Sequence, residues 1–486
     1  MQANAYAFTN LGQFSAVGSL AFSASSLVNS GTASAGGALT ATASGALSNA
    51  GGTFSGTTTT VSGASVNNSN GNIYGNVVAV LTPGDLINES GAITQSGTSA
   101  QTVSAGGKLD NSDGGQIPSN ALDLTITGAQ INNDAGAVTH AGTGTLTINA
   151  SNGAGAISKV GGAATSNGNV VAQAGAFNNT NGSVSGQGSI TATVGGALNN
   201  TNGKVLSNTN LSVTSGTLTN DRGELGAGSK ETIHTGSMTS NGGKIVAPDL
   251  SITTTGTLDN SAGDIEANQL ALSATDLLNR GGSITQYGTG PMGLAISGTF
   301  DNSAGGTLQT NSTDFSLTPW AINNNGGSIL HAGTGTFTLS PGNGAGTFTN
   351  VGGQVITAGQ LIARAGSLDN TTGVLAALGN LTAIIAGGVN NTSGAMRTLS
   401  SLSLTSGAAL TNVNGQIQSG TAAAGDASTL AVQAASIDDT NGVIGNLGTG
   451  NTTVQGGSAL VNSGGQVTGN GDVDVNASSI VNTQGG

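Results

Sequence analysis

Cysteine is absent from the 486 residues, proline occurs six times, charged residues make up 6% and aromatics 3%. Without cysteine there are no disulfides and no thiolate metal sites, which fits either a reducing cytosol or an exported chain that avoids disulfides. Glycine numbers 84 but proline is scarce, which excludes collagen, and no run of about 18 apolar residues is present to cross a bilayer as a helix. Disorder is excluded by a hydrophobic content of 36% and a mean hydropathy of +0.06. Nine Lys and Arg against 22 Asp and Glu give a net charge of −13, the wrong sign for holding phosphates, so no nucleic acid partner is expected. The first thirty residues have neither a basic start nor a continuous apolar stretch; they read as a fragment boundary and not as a signal peptide.

One phrase fills the chain: apolar, any, Asn, two residues, Gly, any, apolar, as in Leu198-Asn-Asn200-Thr-Asn-Gly203-Lys-Val205. Its third position falls at Asn10, Asn29, Asn49, Asn68, Asn88, Asn111, Asn133, Lys159, Asn179, Asn200, Asn220 and Ser240. It continues at Asn260, Asn279, Asn302, Asn324, Asn350, Asn370, Asn391, Asn412, Asp439, Asn462 and Asn482, making 23 anchors, 20 of them Asn, at intervals of 19 to 27 residues. About ten residues after many anchors comes an apolar, any, apolar phrase, as in Leu250-Ser-Ile252 and Leu402-Ser-Leu404. Alternation at period two between Gly, Asn and Ser reads as short strands with one buried face, and repeats this small must stack to bury it. The expected fold is all-β, a right-handed parallel β-helix of about 22 coils, rod-shaped and continuous over residues 1–486.

Strand alternation places Asn200 on the inward side with Leu198 and turns Asn199 outward. A buried amide without partners is costly, but identical amides stacked about 4.8 Å apart can each donate to one neighbouring coil and accept from the other. The ladder so defined includes Asn49, Asn68, Asn88, Asn179, Asn200, Asn260, Asn370, Asn391, Asn412 and Asn462. Gly three residues on is expected to supply a corner with positive φ. Lys159, Ser240 and Asp439 interrupt the ladder and mark its weakest coils. A longer repeat lies over the short one: residues 86–216 align with 277–407 without a gap, and His140-Ala-Gly-Thr-Gly-Thr returns as His331-Ala-Gly-Thr-Gly-Thr. A block of coils was duplicated.

The combination, carried by Leu258-Asp-Asn-Ser-Ala-Gly-Asp-Ile265, Leu410-Thr-Asn-Val-Asn-Gly-Gln-Ile417 and Gly465-Gln-Val-Thr-Gly-Asn-Gly-Asp-Val-Asp-Val475, resembles the haemagglutinin repeats of the filamentous haemagglutinin family. These are large exoproteins of two-partner secretion, among them adhesins and contact-dependent growth-inhibition effectors. Neither the Asn-Pro-Asn of the family's secretion domain nor the Val-Glu-Asn-Asn that precedes its toxin domains is found, so the chain reads as an internal fragment of a larger exoprotein. The resemblance implies export through a partner outer-membrane transporter to the surface of a Gram-negative bacterium. It further implies a structural shaft that projects a distal binding or toxic domain and contacts a host or neighbouring-cell receptor or glycan.

The alternative is a polysaccharide-active β-helix enzyme, a lyase or hydrolase, which needs carboxylates clustered with each other or with a base on one face. The densest acids are Asp110, Asp113 and Asp123, then Asp438 with Asp439, and Asp472 with Asp474; solvated turns account for them better than a site. His140, His234 and His331 have no second ligand at metal spacing, so neither a metal nor a cofactor is expected, and the chain reads as not an enzyme. Trp320, the one tryptophan, is expected to make a contact at the rim. Two long coils carry matching inserts, Asn149-Ala-Ser-Asn152-Gly-Ala-Gly155 and Ser340-Pro-Gly-Asn343-Gly-Ala-Gly346, which are expected to bulge outward as candidate contact loops. Circular dichroism of the chain should show almost no helix, and solution scattering should report a rod of roughly 105 Å, the length of 22 steps of about 4.8 Å. Substantial helix, or a sphere-like scattering profile, would contradict the repeat reading.

Overall fold

The computed structural model describes residues 1–483 and divides the chain into two units, Met1–Thr239 with Lys244–Pro248, and Ser240–Gly243 with Asp249–Gly486. Each unit is a parallel β-solenoid. Among the described residues there is no α-helix, and the helical geometry present is two single 3-10 turns, Ser151–Gly153 and Pro341–Gly344.

One turn of the first unit shows how the sequence produces this. Strands Ser183–Gly186, Ile190–Val194 and Ala197–Asn199 follow one another with two or three residues between them. Strands Lys204–Ser207 and Asn210–Thr219 then lie parallel on them, with Val184 opposite Val205, Ile190 opposite Leu211 and Leu198 opposite Leu218. Parallel neighbours need a long crossover, and here the rest of the turn is that crossover. Val184, Ile190, Ala192, Val194 and Leu198 are all buried, whereas Thr191 and Thr193 between them face solvent. The second unit repeats the arrangement: Val374–Ala377, Leu381–Ile385 and Val389–Asn390 are covered by Ala395–Thr398, Leu402–Ser406 and Ala409–Thr411. Each inward Leu, Ile or Val contributes about 1.5–3 kcal/mol by leaving water, an amount available only once a neighbouring turn covers it.

Aromatic side chains thicken the core in two places. Phe8, Phe14 and Phe22 form a cluster in the first unit with centroids 4.7–5.7 Å apart. In the second unit Phe315 stacks on Phe337 at 5.0 Å, with His331 beside both rings. Buried glutamines bond backbone groups in the middle of the preceding turn's long strand. Gln95 accepts from the Val78 N–H at 2.8 Å, and Gln286 does the same for Leu270 at 3.0 Å.

The corner at the anchor differs from the sequence-based expectation. The left-handed residue is the second after the anchor, as at Asn70, Asn202, Ala262 and Thr372, with φ of 52–53°. The glycine at the third position has ordinary φ, and its role is steric. A Cβ on Gly203 would lie 2.2 Å from the Asn179 carbonyl oxygen and 2.6 Å from Asn200 Oδ1. The missing side chain lets two turns approach closely enough for their amides to bond. Asn111 and Asn302 carry one extra residue, so Gly114 and Gly305 take positive φ and the close approach passes to Gly115 and Gly306. The residue before the anchor closes the corner from outside: Asn199 Oδ1 accepts from the N–H and hydroxyl of Thr201, and Asp369 Oδ1 accepts likewise from Thr371. Such Asx turns favour Asn and Asp at this position.

Gly203→Ala should lower stability by about 1–3 kcal/mol through overpacking, while Asn202→Gly should shift it by less than about 1 kcal/mol in either direction. Equal losses in chemical denaturation would show that the corner is governed by φ and not by close approach.

Candidate functional site

The most regular chemical feature of the chain is the inward amide at each anchor. Asn200 Nδ2 donates to Asn220 Oδ1 at 2.8 Å, to the Gly203 carbonyl of its own turn at 3.2 Å and to the Glu224 carbonyl of the next turn at 3.3 Å. Its Oδ1 accepts from Asn179 at 2.7 Å. The first unit holds an unbroken run from Asn10 through Asn29, Asn49, Asn68, Asn88 and Asn111 to Asn133, and a second from Asn179 through Asn200 to Asn220. The second unit holds a run from Asn260 to Asn412 that passes through Asn370 and Asn391, and Asn462 donates to Asn482 at 3.2 Å.

The interruptions leave a consistent trace. Among the described residues three anchor amide oxygens have no hydrogen-bond partner, Asn179 Oδ1, Asn260 Oδ1 and Asn462 Oδ1, and each belongs to the turn after a non-Asn anchor. Lys159 is 1% exposed, and its Nζ donates to the carbonyls of Gly162 and Ser183, both at 2.6 Å. Those are the two backbone positions an anchor amide reaches, so the lysine replaces the backbone half of the ladder but not the link to Asn179. Burial pulls its pKa down to about 7. Asp439 accepts from Asn412 at 2.5 Å through Oδ1, while Oδ2 has no partner. Burial pushes the Asp439 pKa up to about 7, with Asn412 opposing and the neighbouring Asp438 charge adding to the rise.

Sequence reasoning missed Glu231. It lies opposite Leu211 in register, is fully buried, and neither carboxylate oxygen has a partner. Burial therefore raises its pKa well above the usual carboxylate range, the direction that favours the neutral acid. The signal was present: Glu231 shares parity with the inward Ile233, so period two already turned it toward the core.

The histidines of the duplicated block act as clamps across three turns. His140 Nε2 reaches the Ala121 carbonyl at 3.0 Å and Nδ1 the Ser166 hydroxyl at 2.8 Å; His331 repeats this with Ser312 and Thr357, both at 2.8 Å. Burial lowers the pKa of His331. The acids are likewise engaged. Asp123 accepts from the Thr145 N–H and its counterpart Asp314 from Thr336, each capping the next turn. Asp110 is tied to Lys108 at 2.6 Å, Asp113 sits at a left-handed corner, and Asp438 accepts from Thr440. Asp472 and Asp474 are exposed. No group of three His, Cys, Asp or Glu is placed to hold a metal among the described residues.

The two inserts form the 3-10 turns. Asn149 donates to Gln173 at 3.1 Å while its own Oδ1 has no partner, and Asn152 is exposed at φ 50°. The second insert bulges less than expected: Ser340 and Pro341 are buried, and only its tip, with Asn343, is exposed. Trp320 explains the difference. Its ring lies where a Cβ on Gly342 would be 3.2 Å from it, so it covers the loop while remaining 61% exposed; the equivalent position in the first block is Ala129.

Comparison with known proteins agrees with this repeat structure. A haemagglutinin repeat model matches residues 15–113, 112–154, 141–202 and 183–262, together just over half of the chain. The chain is 56% identical over 218 residues to a protein named tRNA nuclease CdiA-2 of Burkholderia pseudomallei strain 1026b, an alignment covering 43% of this chain and 7% of that protein. No solved structure matches the chain.

The interruptions predict opposite pH slopes. Asp439 has a folded pKa above its unfolded value of 3.8, so its contribution is complete below about pH 4 and is lost as pH rises through 7. Lys159 has a folded pKa below its unfolded value of 10.5, so its contribution is complete above that pH and is lost as pH falls toward 7. Asp439→Asn should remove the first slope and Lys159→Asn, which restores the residue found at the duplicate position Asn350, the second, each worth on the order of 4 kcal/mol over its full range. Glu231→Leu should raise the melting temperature at neutral pH. Denaturant titrations at pH 5, 7 and 9 check all three, and unchanged slopes would count against the ladder account.

Proposed function

The chain belongs to the haemagglutinin-repeat family, and on that premise we propose that it is a length of the shaft of a secreted, surface-displayed filamentous adhesin or contact-dependent inhibition effector. The chain spans about 7% of the length of the curated relative it matches, which leaves room for the binding or toxic domains that a shaft would project. The observation that carries the reading is the ladder itself. A structure whose buried polar groups are satisfied by the next copy of the same turn extends by adding turns, and length is what a shaft provides.

Family membership also supports a partner outer-membrane transporter of two-partner secretion. A chain that crosses a pore before folding is favoured by the absence of disulfides and by short-range pairing, since each turn pairs with the one about 20 residues away. Contact with a host or neighbouring cell falls to outward residues, and the inserts carrying Asn149, Asn152, Ser340 and Asn343 are the candidate loops. The activity on tRNA in the relative's name stays with that protein.

Residues 86 and 277 hold equivalent places, so deleting 86–276 joins Asp85 to Leu277 in register. In the full exoprotein this deletion should leave export and display of distal segments intact while shortening their reach, measured by surface labelling and by contact assays at controlled cell spacing. Loss of activity with reach and display unchanged would place a specific function inside the block. Release of reducing or unsaturated ends from a polysaccharide by the chain would favour the enzymatic alternative.

A further inference from the structure

One outward groove of the second unit is lined mainly by apolar side chains with a single cation among them. Its floor is Ile356, Ala376, Arg397 and Gln418, which stand in register on successive turns. Its wall is Leu378, Leu399 and Leu447, and the intervening turn contributes Gly420 to the lining. Gly420 has φ +74°, and a Cβ there would lie 2.7 Å from the Gly448 nitrogen, so no side chain fills the gap between Leu399 and Leu447. The groove encloses about 340 Å³, and three turn steps from Leu378 to Leu447 give it a length of about 14 Å. Leu378 and Leu399 are 56% and 55% exposed, a loss of contact with other apolar groups that the fold does not demand.

The duplicated block supplies the comparison. At the positions of Ile356, Leu378 and Leu399 the first block carries Thr165, Gln187 and Asn208, and at Arg397 it carries Leu206. The inward neighbours Val355, Leu375 and Met396 correspond to Ala164, Val184 and Val205, apolar in both copies. The core therefore has the same character in both copies, while this outward strip is more apolar in the second and carries a cation there. Arg397 is exposed and makes no hydrogen bond or ion pair among the described residues, whereas Lys108, Lys204 and Arg280 each pair with a carboxylate. An unpaired guanidinium beside an apolar channel, on a chain of net charge −13, is complementary to one anionic group on an apolar tail.

We propose that this groove binds a free medium-chain fatty acid, its acyl chain laid along Leu378, Leu399 and Leu447 and its carboxylate held by Arg397. The test is calorimetric titration of the full 486-residue chain with dodecanoate below its micelle concentration, with dodecyltrimethylammonium as the opposite-charge arm. Dodecanoate should saturate one site and the cationic probe should bind at least about ten-fold more weakly. The triple variant Ile356→Thr, Leu378→Gln, Leu399→Asn carries residues already accommodated at the same places in the first block, and it should weaken dodecanoate by about ten-fold or more. Arg397→Leu, a second variant with the first block's residue, should abolish the preference for the anionic head group. Absence of saturable binding, undiminished binding by the triple variant, or equal binding of the cationic probe by the parent chain would each overturn the proposal. Photo-crosslinking from position 399 that captures a protein partner in place of the fatty acid would overturn it as well.

Discussion

Everything regular in this chain depends on one hydrogen bond, from an inward asparagine amide to the carbonyl of the same residue in the next turn, 2.6–2.8 Å long in the unbroken runs of each unit. Because donor and acceptor sit on one side chain, every turn presents the same face to both neighbours, and no special terminator is needed within a run. Strand pairing sets the distance between turns, and that distance, which brings the amides within reach of each other, excludes a side chain at the third residue. A Cβ at Gly203, Gly223 or Gly373 would enter the space held by the two amides. The net value of one such bond is about 1 kcal/mol, but leaving a member unpaired in the core costs about 1–3 kcal/mol, so selection acts mainly against gaps. The orphaned oxygens after Lys159, Ser240 and Asp439 mark where that cost is met.

This constraint divides each turn into a side that cannot vary freely and a side that can. The duplicated blocks show the division within one molecule. Clamps and caps recur at the same offset, His140 with His331 and Asp123 with Asp314 inside the two copies and Asp85 with Asp276 just ahead of them, because each satisfies a backbone group of an adjacent turn. Outward positions diverge: Ala129 against Trp320, Leu206 against Arg397, Gln187 against Leu378. A solenoid thus offers a surface on which chemistry changes without altering the pitch. Its low charge follows from the same arrangement, since corner and cap positions are served by Asn, Ser and Thr or by carboxylates already accepting backbone N–H groups.

The ionisable groups inside the core run against this economy. Lys159 and Asp439 occupy anchor positions and keep part of the anchor's bonding, the lysine through two carbonyls and the aspartate through Asn412. Glu231 keeps none and stands opposite Leu211.

The sequence by itself determined the all-β solenoid, the anchor spacing and the inward side of each strand, because strand alternation and repeat length are local properties of the chain. Asn200 and Asn199 were separable on parity alone. It left the corner unresolved, for whether a glycine answers φ or contact depends on the turn stacked above it: the left-handed angle falls on Asn202, and Gly203 is needed by Asn179 of the preceding turn. The state of Lys159 and Asp439, the cover that Trp320 places over Gly342, and the groove beside Arg397 were likewise decided by tertiary structure. Each joins residues from different turns, and no pattern within one turn shows which outward or buried groups will lie side by side.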